Sequence, residues 1–371
     1  MRNTTLIAAL LAGTTPAGAQ QLWHSEIGVQ GGYARIQISG SGGNPADVFE
    51  FPTMGYLIPL IGYAPVFVTI PLADRIALEP TVSLAQLASG GTNVTTVRLG
   101  VRGNYAITAH FYGGLGGVVN YASSGNEQFQ LGAQLGAGYR FGLGPRLNGR
   151  VEADWISTRG NATLAARNVY ALLFGLSARL DGPARAAAAR PATDRAWQPS
   201  VGLVGGYSNA HSVGGGSITG VLVPGFGGSL TTLGGGGTPP QPPTLFAIIP
   251  LGRRLAIEPG LDLHRIQSGG QTSFGANVGA RLNVAVHGGW YGAVGGQLIY
   301  LQATPGTFAD PNRGSATVTG ATLAWGYRFP IGGQISGRTE LNYSMYAKSS
   351  DIPSPPVNVT GLLFGLMMPL K

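Results

Sequence analysis

Apolar and polar positions alternate along most of this chain. Leu78, Pro80, Val82 and Leu84 share one face of a segment whose other face carries Ala77, Glu79, Thr81 and Ser83. In the next segment Val97, Leu99, Val101, Tyr105 and Ile107 oppose Arg98, Arg102 and Asn104. Phe129, Leu131, Ala133, Leu135, Ala137, Tyr139 and Phe141 then form an unbroken apolar row against Gln128, Gln130, Gln134 and Arg140, and Leu147, Val151 and Trp155 face away from Arg150, Glu152 and Asp154. A period of two is that of a β-strand with two unlike faces. It predicts strands near 26–36, 64–72, 75–87, 94–107, 110–122, 127–141, 146–158 and 168–180, and again near 199–211, 244–251, 254–267, 272–286, 289–302, 315–330, 334–347 and 357–369.

The second set repeats the first. Ile70-Pro-Leu-Ala-Asp-Arg-Ile-Ala-Leu-Glu-Pro80 returns at 249–259 as Ile-Pro-Leu-Gly-Arg-Arg-Leu-Ala-Ile-Glu-Pro, read each time as strand, tight turn and strand. Glu79 matches Glu258, Arg102 matches Arg281, and Phe111-Tyr112 matches Trp290-Tyr291 at a constant spacing of 179. Further on, Gly138-Tyr-Arg-Phe141 matches Gly326-Tyr-Arg-Phe329, Gly149-Arg-Val-Glu152 matches Gly337-Arg-Thr-Glu340, and Leu173-Phe-Gly-Leu176 matches Leu363-Phe-Gly-Leu366. Insertions fall between the matched strands, as loops do. The expected organisation is a tandem duplication, with residues 1–19 a signal peptide, 20–181 a first barrel, 182–197 a periplasmic linker and 198–371 a second barrel. The leader has Arg2, the apolar run Leu6–Ala12 and the small-residue cleavage site Ala17-Gly-Ala19.

Composition decides which solvent the apolar faces meet. Only 10% of the residues are charged, against about 25% in an average soluble chain. Lysine is nearly absent, and the second face of each strand is mostly Gly, Ala, Ser, Asn and Gln. A soluble eight-stranded barrel would carry a charged exterior, so lipid is the better partner for the apolar rows. No stretch has the roughly 18–20 uninterrupted apolar residues of a spanning helix. Short connections at one end, Ala73-Asp74, Thr108-Ala109 and Gly142–Pro145, face mostly longer ones at the other, among them 37–63, Arg159–Arg167 and the Gly-rich 212–243, read as a mobile loop. The apolar stretch Met54–Ile61 is read as a lipid or partner contact or an extension of the second strand.

With its Gly-Tyr-Arg-Phe strand ends and polar inner faces, the chain resembles the small eight-stranded bacterial outer-membrane barrels of the OmpA transmembrane-domain type. The resemblance is one of pattern over nearly all of both copies. It implies an all-β fold of two tandem antiparallel transmembrane barrels in the outer membrane, with the assembly machinery and outer-membrane lipid as partners. Such barrels often finish on phenylalanine, whereas this chain finishes Met367-Met-Pro-Leu-Lys371. Sixteen strands could also close as one porin-sized barrel, a diffusion channel. The linker composition of 182–197 and the completeness of each copy argue for two.

The charges that remain recur at matching places: Glu79, Arg102, Arg140, Arg150 and Glu152 in one copy, Glu258, Arg281, Arg328, Arg338 and Glu340 in the other. Buried in narrow lumens, such charges have to pair, and an ion-pair network across each lumen is expected. Catalysis is not expected. His264 with Asp262 and Ser268 is the one arrangement a lipid hydrolase could use, and Glu79 with Glu152 is an acid pair only if the interleaved arginines are ignored. His110 and His287 do not align and offer no metal pair. No cofactor, metal or nucleic-acid partner is expected, the +8 net charge being scattered. The absence of cysteine leaves no disulfide framework. The expected role is a non-enzymatic one, envelope-structural or surface-interacting through extracellular loops whose ligand the sequence does not name.

Overall fold

The fold is taken from a computed structural model, which describes residues 22–38, 45–51, 66–89, 92–123, 127–143, 147–160, 165–180, 196–212, 217–223, 243–268, 270–303, 314–332, 335–347 and 356–370. The signal peptide, nearly all of the linker and Met54–Ile61 lie outside them. The first copy contributes β1 (Glu26–Ile38), β2 (Ala46–Phe51), β3 (Val66–Ala73), β4 (Ile76–Ser89), β5 (Thr92–Ala106), β6 (Phe111–Ser123), β7 (Glu127–Gly142), β8 (Leu147–Thr158) and β9 (Arg167–Arg179). The second contributes β10 (Ser200–Ser212), β11 (Ser217–Val223), β12 (Leu245–Pro250), β13 (Leu255–Ser268), β14 (Gln271–Ala285), β15 (Trp290–Ala303), β16 (Ser315–Gly332), β17 (Ile335–Tyr346) and β18 (Val357–Pro369).

At the end of the short turns there are two closed antiparallel rings of eight strands. β1 pairs with β3, each strand from β3 to β9 pairs with the next, and β9 returns to β1. β10, β12 and the strands to β18 close in the same way. Short hairpins such as Ala73–Ile76 bring consecutive strands side by side, and closure leaves no strand edge exposed.

Towards the loop end the two rings exchange partners. β1 pairs with β3 over Glu26–Val29 but with β2 from Gly32 onwards. β2 also pairs with β13 of the other ring, from Phe51 opposite Leu263 to Ala46 opposite Ser268. β11 does the reciprocal thing, bridging β10 and β4 with Val223 opposite Leu84 and Ile218 opposite Ser89. Below this fork β3 and β12 complete separate rings. Above it β2 and β11 replace them, so that β1, β2, β13–β18, β10, β11 and β4–β9 run as one continuous sixteen-stranded ring. The two-barrel and one-barrel readings of the sequence thus describe opposite ends of one molecule.

Both turning points are glycines. Gly32 and Gly206 have φ of 154° and 159°, at the edge of the range that side chains avoid. A Cβ added at either would collide with a carbonyl oxygen of the neighbouring strand, that of Leu172 or Leu362. Sequence periodicity placed long loops over 37–63 and 212–243, and the structure puts β2 and β11 inside them. Branched residues explain this: Val48 in β2, and Ile218, Val221, Leu222 and Val223 in β11, favour extended backbone even amid glycine.

The faces separate cleanly. In β9, Tyr170, Leu172, Phe174 and Leu176 are exposed while Val169, Ala171 and Leu173 point inward. Leu115 and Leu131, 65% and 66% exposed, lie in a belt that ends at the turn side in an aromatic girdle of Phe111, Tyr139, Trp290, Trp325 and Tyr327. Near the loop end the interior is apolar: Ala34, Ile36, Val48, Ile156, Val169 and Leu173 cluster on one side, and Ile299, Leu301, Val318, Tyr346 and Val359 on the other.

Two engineered cysteine pairs across the β2–β13 seam test the exchange. Val48 lies opposite Ile266 and Asp47 opposite Gln267. Adjacent antiparallel pairs alternate between close and wide spacing, so one of V48C/I266C and D47C/Q267C should oxidise readily in the folded protein. Peptide mass spectrometry should find the linked fragment; neither pair linking would rule out the shared sheet. Gly32→Val should prevent closure, so that unheated and heated samples run alike on a denaturing gel while the unsubstituted protein shows a heat-dependent shift.

Candidate functional site: two filled lumens

The inward charges lie just on the turn side of the fork. Glu79 of β4 sits directly across from Arg102 of β5, and the pair is buried at 1% and 2% exposure. Arg102 bonds Glu79 at 2.9 Å and spans the lumen to β8, where it meets Glu152 at 2.7 Å and Asp154 at 3.0 Å. Arg150 of β8 returns across the lumen to Glu79 at 2.8 Å and to Gln30 of β1. Tyr112 donates to Glu152, Asn104 to Glu79 at 3.2 Å, and Gln134 to Asp154 at 3.0 Å. Small residues make the space, since a Cβ on Gly136 would collide with Asp154 and crowd Arg102.

The second ring repeats the arrangement. Glu258 of β13 sits across from Arg281 of β14, which bonds it at 2.7 Å and reaches Glu340 of β17 at 2.5 Å. Arg338 meets Glu258 at 2.8 Å, Asn283 donates to Glu258 at 3.0 Å, and Tyr291 donates to Glu340 at 2.8 Å. The copies differ at one acid. Asn342 stands where the first ring has Asp154, and it donates to Thr322 at 2.9 Å. The first network therefore sets three carboxylates against two guanidinium groups, the second two against two.

Arg140 and Arg328 do something other than what the sequence led us to expect. Neither joins the carboxylates. Arg140 lies over the ring of Trp23, 4.1 Å from its centroid, and donates to the Leu22 carbonyl at 2.7 Å. Arg328 lies 3.9 Å over Trp197. Each sits directly across from a network arginine, Arg150 or Arg338, and its guanidinium group takes an aromatic face as its electron-rich partner. Trp23 and Trp197, each 2% exposed, are tucked into the turn-side mouths ahead of β1 and β10. Their indole N–H groups donate to the carbonyls of Arg75 at 3.0 Å and Arg254 at 2.9 Å, and they meet Tyr112 and Tyr291 edge-on. Phe67 and Phe246 lie under the guanidinium groups of Arg150 and Arg338 at 3.4 and 3.7 Å.

Sequence reasoning missed the tryptophans, the two phenylalanines, Asp154, and the roles of Tyr112 and Tyr291. The signal for the tryptophans was there: each stands three residues before its strand, at matching places in the two copies. Both lie outside the periodic segments, where alternation carries no information.

The arrangement fills space and balances charge. Glu79 is held by Arg102, Arg150 and Asn104, and Glu152 by both terminal nitrogens of Arg102 and by Tyr112, as counter-charges rather than as an acid pair. In the hydrolase arrangement the acid is engaged elsewhere. Thr244 N–H donates to both carboxylate oxygens of Asp262 at 2.9 Å. Ser268 lies four residues along β13 from His264, a separation of about 13 Å at strand rise. His110 bonds the Arg140 carbonyl at 3.0 Å, at a turn.

A closed barrel, apolar outside and charged inside, satisfies its backbone only within itself and offers lipid nothing polar, which is the architecture of an outer-membrane β-barrel. The chain is one. No family model matches it, and no curated protein matches its sequence. Among solved structures it is similar to the CymD monoaromatic hydrocarbon channel, 9% identical over 94% of this chain and 88% of that one, with a TM-score of 0.30. A bacterial polysaccharide outer membrane secretin is 10% identical over 94% and 99% of the two chains, with a TM-score of 0.31. An outer membrane channel from Pseudomonas putida F1 is 12% identical over 96% and 100%, with a TM-score of 0.25. At that overlap the architecture rests on the strand pairing alone.

Removing one partner of a buried ion pair leaves an uncompensated charge, at a cost of about 3–5 kcal/mol. Arg281→Met should lower the urea midpoint of the refolded protein by a corresponding amount. Adding Glu340→Gln should recover part of the loss, because it removes one of the stranded charges.

Proposed function

We propose that this is a non-enzymatic outer-membrane protein, arisen by tandem duplication of a small barrel, whose paired rings hold extracellular loops at the cell surface for an envelope-structural or surface-interacting role. Residues 1–19 act as the export signal and 182–197 join the two barrel domains on the periplasmic side. The observation that carries the reading is the filling of both lumens below the fork: a network of arginines and carboxylates, then an arginine stacked on a tryptophan at each mouth. A protein selected to pass solute would keep such a path open. What is left for function is the surface above the fork, at the loop ends of the strands.

One observation favours a second reading, passive diffusion of small solutes. The sixteen-stranded ring at the loop end has the strand number of a porin. Its passage leads into two filled legs, so conduction would require the networks to part.

Single-channel recording of the mature chain, refolded and inserted in a planar bilayer, separates the two. Silence or small, infrequent openings are expected. Stable steps on the porin scale would overturn the filled-lumen reading and make diffusion the function.

A further inference from the structure

Between the two rings, outside both lumens and on the turn side of the fork, lies an apolar crevice of about 310 Å³. This is at the lower end of the roughly 300–1,000 Å³ typical of sites that hold small molecules. Ile27, Val29 and Leu176 line it from one ring, and Val201, Leu203 and Leu366 from the other. These positions correspond pairwise in the two copies, so the crevice presents the same chemistry on both walls. Among the described residues that line it, none carries a charge.

We propose that this crevice is a built-in binding site for the acyl chains of a glycerophospholipid, drawn from the membrane leaflet on the turn side. The inference rests on the outer-membrane placement given above. Three observations lead to it. The lining rows continue the exposed lipid belt: Leu176 follows Leu172 and Phe174 along β9, and Leu366 follows Leu362 and Phe364 along β18. The crevice therefore lies at the depth of hydrocarbon, where water would find no partner. Towards the loop end the two rings are joined by the shared sheets in which β2 joins β13 and β11 joins β4, while the lining residues lie on the turn side of that junction. A flexible hydrocarbon tail makes dispersion contacts with both apolar walls and needs no matching polar group.

The test uses the full mature chain in vesicles of phosphatidylethanolamine and phosphatidylglycerol doped with a phospholipid carrying a diazirine near the end of one acyl chain. After photolysis, labelled peptides are mapped. Labelling at Ile27, Val29, Val201 and Leu203 is expected to exceed that at the open belt residues Leu115 and Leu131 several-fold. In a V29W/L203W variant, which fills the crevice with residues a lipid-facing strand tolerates, labelling at Ile27 and Val201 should fall to the belt level while belt labelling and folded gel mobility stay unchanged. Equal labelling of crevice and belt in the natural protein, or no loss in the variant, would overturn the proposal. So would equal crevice labelling by a diazirine lipopolysaccharide presented from the loop side. A folded protein with no labelling even on the belt would instead overturn the membrane reading, and the lipid site with it.

Discussion

In hydrocarbon an unpaired backbone N–H or C=O has no water to fall back on, and each costs several kcal/mol. Every other feature of this molecule answers to that constraint. Two rings can each close on themselves, or one large ring can close, but a junction between the two arrangements must hand each strand from one partner to another without leaving an edge open. The fork does this at Gly32 and Gly206, where β1 and β10 change partners, while β4 and β13 are taken over by β11 and β2 within two residues of losing β3 and β12. The absence of a Cβ lets the strand bend at the place where a side chain would strike the neighbouring carbonyl.

Narrowness then dictates the interior. An eight-stranded ring has room for side chains and little else, and the side chains chosen differ with depth. Near the loop end branched apolar residues meet, and nearer the turns the long arginines cross from wall to wall. Burying a guanidinium group is costly unless it is paired and hydrogen-bonded, and the carboxylates take the terminal nitrogens while the Nε atoms of Arg102, Arg150 and Arg338 stay without a hydrogen-bond partner. The same geometry, with Arg–Glu pairs directly across neighbouring strands and a second carboxylate on the opposite wall, appears in both rings. That repetition ties the networks to the barrel radius and register rather than to accidents of either copy.

The strands and their faces were legible because one solvent is apolar and the other face is not, so that Phe129 to Phe141 could be sorted by eye. The pairing of Glu79 with Arg102 was legible because charges are scarce and recur. The exchange at the loop end was not. Period two marks a segment as strand but carries no information about its neighbour, and Ala46–Phe51 and Ser217–Val223 are short strands set in glycine-rich sequence that reads as loop. The partner of Arg140 was not legible, because alternation gives a residue's face but not the side chain it meets there, and Trp23 stands ahead of the first periodic segment.

The reciprocal seams also impose an order on biogenesis. β2 is synthesised early, yet one of its two edges belongs to β13, more than two hundred residues later in the chain. The first ring can therefore close at its turn end while its loop end stays unsatisfied until most of the second copy has arrived. Contacts this distant in sequence are slow to form. The half-made molecule presents a bare strand edge in the meantime, so the loop ends of the two rings close together, late, rather than one after the other.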